Sequence, residues 1–141
     1  MTNLETILVV DDTAAVLTVV VAILKAANFD VLQASSGKMA IRLSADYAGT
    51  IHLLLSDVKM PETSGPELGE LLKKSRPNMR VMLMSGFTGG DLLVLNYGWA
   101  FISKPFVPRK LVEMVNAVLH TPDKSQGSNQ FDQRKDGGAQ E

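Results

Sequence analysis

A chain of 141 residues, 45% apolar and 21% charged, is long enough for one domain with a proper hydrophobic core and too short for two ordinary ones. Its formal net charge of -1 gives no reason to expect nucleic acid or an anionic membrane as a partner. With no cysteine, a disulfide scaffold, a thiolate zinc site and a cysteine nucleophile are all excluded, and a cytoplasmic location is suited.

Short apolar runs alternate with longer helical patterns. Residues 7–10 (ILVV) have strand length and end at Asp11-Asp12. Residues 14–27 are apolar nearly all round, as expected of a buried helix on a sheet. The apolar stretch 14–24 contains Thr18 and is followed by Lys25, so it falls short of the roughly 20 apolar residues a membrane crossing needs. No targeting segment is visible. Residues 30–34 form a second strand and 37–45 a modestly amphipathic helix. Residues 51–56 (IHLLLS) form a third strand ending at Asp57. A helix follows from Ser64 or Gly65 to Ser75, with Leu68, Leu71 and Leu72 on one face and Lys73 and Lys74 near its end. Residues 80–84 form a fourth strand ending at Ser85. A glycine-rich loop, 86–90, opens a short apolar segment at 91–97. Residues 100–103 form the fifth strand, ending at Lys104-Pro105. The last helix spans 108–119, with Pro108 at its first turn.

Five strands, each followed by a helix, imply a parallel, doubly wound α/β sheet with right-handed crossovers and helices on both faces. From Thr121 onward the chain (TPDKSQGSNQFDQRKDGGAQE) is polar with one isolated Phe. It cannot bury enough apolar surface to offset its ordering entropy, so residues 121–141 are expected to be a disordered polar tail.

Ligands of doubly wound sheets bind at the carboxyl ends of the strands, and there the polar residues collect. Asp11 and Asp12 follow strand one, Asp57 strand three, Ser85 strand four and Lys104 strand five. Three converging carboxylates repel one another unless a cation joins them. Hard oxygen ligands with room for water and phosphate suit Mg²⁺. A carboxylate can act as the nucleophile in phosphoryl transfer, and Lys104 and Ser85 can bond the remaining phosphoryl oxygens. The set assembles a metal-assisted phosphoryl acceptor.

Four segments carry a family resemblance: Val9-Val10-Asp11-Asp12; Ser56-Asp57-Val58-Lys59-Met60-Pro61 followed by Ser64-Gly65; Met84-Ser85-Gly86; and Ser103-Lys104-Pro105-Phe106. In this order, each behind a strand, they resemble the motifs of response-regulator receiver domains of two-component signalling. The stretch 64–68, Arg76-Pro77 and residues 84–88 look closest to receivers of hybrid sensor histidine kinases. The resemblance implies a flavodoxin-like fold with strand order 2-1-3-4-5 and a receiver domain over residues 1–120. It implies that Asp57 is the phosphoacceptor and that Mg²⁺ is held by Asp12, Asp57, the backbone carbonyl of Lys59 and, mainly through a water, Asp11. Ser85 and Lys104 would hold the phosphoryl oxygens, and Phe101 would be the aromatic switch coupled to Ser85. Phe87, two residues after Ser85, falls where the family tunes the lifetime of the phosphoryl group. The implied donor is a histidine kinase or a histidine phosphotransfer protein, and the output an unknown downstream protein target, with no direct nucleic-acid or membrane contact. Such a domain is not an enzyme on a separate substrate; it assists its own phosphorylation and dephosphorylation. Both a single-domain regulator and a relay element fit.

Plainer readings stand beside these. Asp11 or Asp12 could cap the helix starting near Ala14. Leu92, Leu93, Leu95 and Trp99 could form an interaction patch, though covering the sheet is the favoured role. His52 and His120 read as structural or solvated rather than as metal ligands, and Met82 and Met84 as core filler. A phosphohydrolase with an aspartyl nucleophile generally wants a second acid two residues on, where this chain has Lys59. A flavodoxin-like nucleotide or flavin binder wants a phosphate-cradling glycine- or hydroxyl-rich loop after strand one, where this chain has Asp11-Asp12-Thr13.

Overall fold

A computed structural model of the chain describes residues 4–86 and 99–121. In chain order the elements are β1 Thr6–Val10, α1 Ala14–Ala26, β2 Asp30–Ala34, α2 Gly37–Asp46, β3 Leu53–Asp57, α3 Gly65–Ser75, β4 Arg80–Ser85, β5 Ala100–Ser103 and α4 Pro108–Leu119. Every strand pairing is parallel, and the order across the sheet is β2-β1-β3-β4-β5. The expected boundaries hold to within one or two residues, the usual fraying range. The segment 91–97, Phe87, Leu92, Leu93, Leu95 and the tail beyond Thr121 lie outside the described residues.

The central strands are apolar without interruption because both faces of the sheet are covered. Alternate side chains enter different cores. Ile7, Val9, Leu53, Leu55, Met82 and Met84 pack with Leu17, Val20 and Leu24 of α1 and with Leu111 and Val115 of α4. On the opposite face Leu8, Val10, Leu54, Val81 and Leu83 pack with Ala40 of α2 and with Leu68 and Leu72 of α3. Met82 and Met84 are fully buried, as expected of core filler.

The all-round apolar pattern of α1 proved misleading. Only Leu17, Val20, Val21 and Leu24 are buried, and Val19 remains 54% exposed. One sheet face can cover only one stripe of a helix, so α1 is a surface helix.

Helix ends are set locally and at long range. The Ser36 hydroxyl caps α2 by accepting from Met39 N–H at 3.1 Å. Ser64 and Glu67 form a reciprocal capping box on α3, with bonds of 3.2 and 2.9 Å. Two arginines near the α3–β4 connection cap other helices. Arg76 donates to carbonyls at the end of α2, and Arg80 donates to Val118 O and Thr121 O at the end of α4. The histidines are structural, as read. His52 Nδ1 accepts from Thr6 N–H at 2.9 Å and ties β3 to β1, while His120 Nε2 meets Glu5 at 3.1 Å. Trp99 belongs with the second core and packs on α3 at Gly69, in keeping with its role as a sheet cover.

Candidate functional site at the carboxyl edge of the sheet

Because all five strands run parallel, the residues that end them share one edge. Asp11 extends β1 by one ladder bond, its N–H donating to Ala34 O at 3.2 Å, and is fully buried. Its carboxylate does not cap α1. Oδ1 accepts from Thr13 N–H at 2.8 Å, one residue before the helix, and Oδ2 accepts from Lys104 Nζ at 3.0 Å. Asp12 is exposed beside it. Asp57 ends β3 and is 9% exposed. Its Oδ1 accepts from Val58 N–H at 3.0 Å and from Lys104 Nζ at 3.3 Å. One carboxylate oxygen each from Asp11, Asp12 and Asp57 lies within 4.8 Å of the others.

Lys104 reaches these carboxylates because its backbone is anchored one strand away. Its N–H donates to Ser85 O at 2.8 Å, continuing the β4–β5 ladder beyond Ser103. Ser85 ends β4 and is buried. Phe101 pairs with Leu83 and Ser103 with Ser85. Strand alternation puts Phe101, Leu83 and Ser85 on one face of the sheet, where Phe101 is half-buried against the second core. Lys59 is exposed in the loop after β3, where Val58 N–H donates to Met84 O at 2.9 Å.

The charges are strongly coupled. Burial pushes the Asp57 carboxyl above its ordinary value; Lys104 opposes this, and the negative charges of Asp11 and Asp12 reinforce it. For Lys104, burial disfavours the ammonium. The hydrogen bond to Asp11 and the charges of Asp57 and Asp11 together outweigh that, and its pKa rises. A single lysine against three carboxylates leaves negative charge in excess. Three hard oxygens this close fit an oxygen-seeking divalent cation such as Mg²⁺.

The structure thus brings Asp11, Asp12, Asp57 and Lys104 together and sets Ser85, Lys59 and Phe101 on the adjoining strand and loop positions. Sequence reasoning placed Gly65 among the motif residues without assigning it a role, and the structure shows that it shapes the loop. A Cβ on Gly65 would lie 2.3 Å from the carbonyl oxygen of Asp57. The available signals were its place in that motif, eight residues after Asp57, and the Ser64-Gly65-Pro66 run at a helix start. A hollow at the opposite edge, lined in part by Glu5, His52, Asn78 and Arg80, gathers no comparable carboxylate set.

A doubly wound parallel sheet with a lysine-bridged carboxylate cluster at its carboxyl edge defines an α/β protein whose polar residues gather where sheets of this kind place their ligands. The family model for the response regulator receiver domain matches residues 7–116, and the chain belongs to that family. It is 31% identical over 121 residues to the sensor kinase CckA of Brucella abortus, covering 84% of this chain and 13% of that protein. It is 33% identical over 135 residues to the DNA-binding transcriptional regulator NtrC of Rhizobium meliloti, covering 94% of this chain and 27% of that one. The chain therefore spans well under two thirds of either curated relative. Among solved structures, the receiver domain of the hybrid histidine kinase CckA matches with a TM-score of 0.70 and 35% identity, covering 82% of this chain and 99% of that one. A CheY-like receiver domain protein from Methanospirillum hungatei matches with a TM-score of 0.74 and 30% identity, covering 90% and 99%. Among the described residues, no helix is long and apolar enough to cross a membrane.

Proposed function

We propose that the chain accepts a phosphoryl group on Asp57 from a histidine kinase or a histidine phosphotransfer protein, with Mg²⁺ held in the acidic pocket. The observation that carries this is the Lys104 ammonium, 3.0 Å from Asp11 Oδ2 and 3.3 Å from Asp57 Oδ1, where three carboxylates converge. Asp12, Asp57 and the backbone carbonyl of Lys59 would hold the metal directly, and Asp11 through a water. When bound, the ion supplies positive charge against the carboxylates and the phosphoryl oxygens.

A carboxylate oxygen of Asp57 attacks the phosphorus of the donor's phosphohistidine. A P–O bond forms as the P–N bond breaks, and the imidazole leaves with that electron pair. The product is an acyl phosphate. Lys104 then makes a charge-assisted bond to a phosphoryl oxygen. The Ser85 hydroxyl donates to another, and Phe101, on the same sheet face, turns inward as Ser85 moves. The altered surface is read by a downstream protein, without direct contact to nucleic acid or membrane. The chain acts as a phosphoacceptor that assists its own phosphorylation and dephosphorylation, in the cytoplasm.

The test is intact mass after incubation with Mg²⁺ and acetyl phosphate. One added phosphoryl group is expected in the wild type and none in Asp57→Asn. A wild-type chain that stays unmodified by acetyl phosphate and by a panel of phosphorylated histidine kinases would refute the assignment.

A further inference from the structure

The edge of the sheet opposite the acceptor carries a hollow of the reverse charge. It encloses about 450 Å³ between the connections that lead into β3 and β4, a volume in the range of small-molecule sites. Arg76 and Arg80 both line it, half-buried, and neither guanidinium has a carboxylate partner among the described residues. Backbone carbonyls fix them instead. Arg76 donates to Ser44 O, Tyr47 O and Gly49 O. Arg80 is pinned through Nη1 alone, to Val118 O at 2.6 Å and to Thr121 O. Its Nε and Nη2 bond no described residue, so one edge of the planar fork is left over. Carbonyl oxygens orient a guanidinium without cancelling its charge.

His52 adds a neutral donor to the same lining. Its Nδ1 accepts from Thr6 N–H at 2.9 Å, so the ring proton is on Nε2, which bonds no described residue. Asn78 brings an amide to the exposed rim, and the buried Ile51 and Met79 contribute apolar surface. Glu5 is the one carboxylate among the residues lining the hollow, and His120 Nε2 meets it at 3.1 Å. Two guanidinium groups against one carboxylate leave positive charge in excess. At the acceptor edge three carboxylates surround one lysine, and the excess is negative. An anion is therefore repelled from one end of the strands and attracted to the other.

We propose that this hollow is a second ligand site, separate from the acceptor site, and that it takes a small organic carboxylate. The open edge of Arg80 bonds the two carboxylate oxygens side by side, the arrangement a planar fork matches. Arg76 adds charge without a bond of its own. His52 Nε2–H and the Asn78 amide bond further polar atoms of the ligand, and Ile51 and Met79 cover its carbon skeleton. Inorganic phosphate fits the same fork, but it sets more negative charge against Glu5 and leaves the apolar lining unused. The proposal does not depend on Asp57 being the acceptor.

The experiment titrates the isotope-labelled full chain with acetate, succinate, citrate and inorganic phosphate at constant ionic strength and neutral pH, following backbone amide shifts. Succinate or citrate is expected to give saturable shifts centred on residues 50–52 and 76–80, with a dissociation constant of roughly 1 mM. Arg80→Met should weaken that binding by about tenfold or more, since it removes a charge-assisted bidentate contact. Arg80 also holds the end of α4, so a second variant changes the charge and leaves those bonds alone. Asn78→Asp, exposed and nearly isosteric, sets a negative charge at the rim and should weaken binding by about threefold or more. Should Arg80→Met not fold, Asn78→Asp decides. Affinity unchanged in a folded Arg80→Met or in Asn78→Asp would overturn the proposal. So would saturation by phosphate with the carboxylates silent, or no saturable shift at these residues with any of the probes up to about 50 mM.

Discussion

Replacing Lys104 with methionine is expected to slow phosphorylation by acetyl phosphate roughly 100-fold, the cost of removing one preorganised donor from developing charge. The same change should destabilise the metal-free protein. Lys104 is the cation that holds the fully buried Asp11 and the Asp57 carboxylate. Deleting one partner of a buried pair strands the other charge, at a cost of about 3–5 kcal/mol when fully enclosed. The Lys104 side chain is 21% exposed, so water softens the loss to roughly 2–3 kcal/mol. Saturating Mg²⁺ should recover much of that stability, because a divalent ion answers the same carboxylates, while the rate stays low because the donor is gone. Melting curves with and without Mg²⁺, beside the mass assay, separate the two effects. Equal stability of Lys104→Met and wild type without Mg²⁺ would show that the ion pairs contribute nothing.

The opposite substitution at the same cluster should stabilise. Burial and the neighbouring aspartates raise the pKa of Asp57 above its ordinary 3.8. The folded state therefore holds the proton more tightly than the unfolded one. Stability from this group is full below pH 3.8, falls as pH rises from there through the raised value, and stays low above it. Asp57→Asn removes the penalty, so without metal the variant should melt higher than wild type at pH 7. The advantage should vanish below pH 3.8. Each 1 kcal/mol relieved corresponds to about 4–8 °C in a domain of this size. Lys104 behaves conventionally: its raised pKa means its contribution is complete below pH 10.5 and is lost as pH climbs through the raised value.

Most of the fold was legible because it depends on short-range pattern. Each strand is an apolar run of the right length, and each site residue directly follows one. A parallel sheet turns that one-dimensional adjacency into a shared edge, so Asp11, Asp12, Asp57, Ser85 and Lys104 could be grouped without knowing any contact. What escaped depends on contacts between distant segments. Gly65 stood in the motif and at a helix start, but nothing in its neighbours says that the carbonyl of Asp57 lies beneath it. His52 read correctly as structural, but its bond to Thr6, across 46 positions, could not be named. The pattern of α1 carried hydrophobicity without direction, and the exposed Val19 shows that a uniformly apolar helix need not be enclosed.

Arg76 is the clearest long-range case, and its removal should give the largest loss of stability of any polar substitution outside the site. As the C-cap residue of α3, it crosses to α2 and the turn beyond it. Nε donates to Ser44 Oγ at 2.8 Å and Nη1 to Gly49 O at 2.9 Å. Nη2 donates to Ser44 O at 2.9 Å and to Tyr47 O at 2.8 Å. The last carbonyls of a helix have no partner within it, and α2 carries no basic residue in its own last turn. The guanidinium serves both needs, bonding those carbonyls and placing positive charge at the negative end of the helix dipole. Hydrogen bonds to a charged group contribute about 1.5–3 kcal/mol each, but several bonds from one half-exposed side chain do not add. Arg76→Ala is therefore expected to cost about 3 kcal/mol, lowering the melting temperature by roughly 12–24 °C. Arg76→Lys should recover only part of this, since a single ammonium cannot span acceptors arranged for a planar fork. The site lies at the other edge of the sheet, so below its melting temperature Arg76→Ala should still be phosphorylated at close to the wild-type rate. Urea and thermal melts of both variants, with the mass assay at 10 °C, check each part. A melting temperature for Arg76→Ala within 2 °C of wild type would mean that water replaces the guanidinium at these carbonyls without loss.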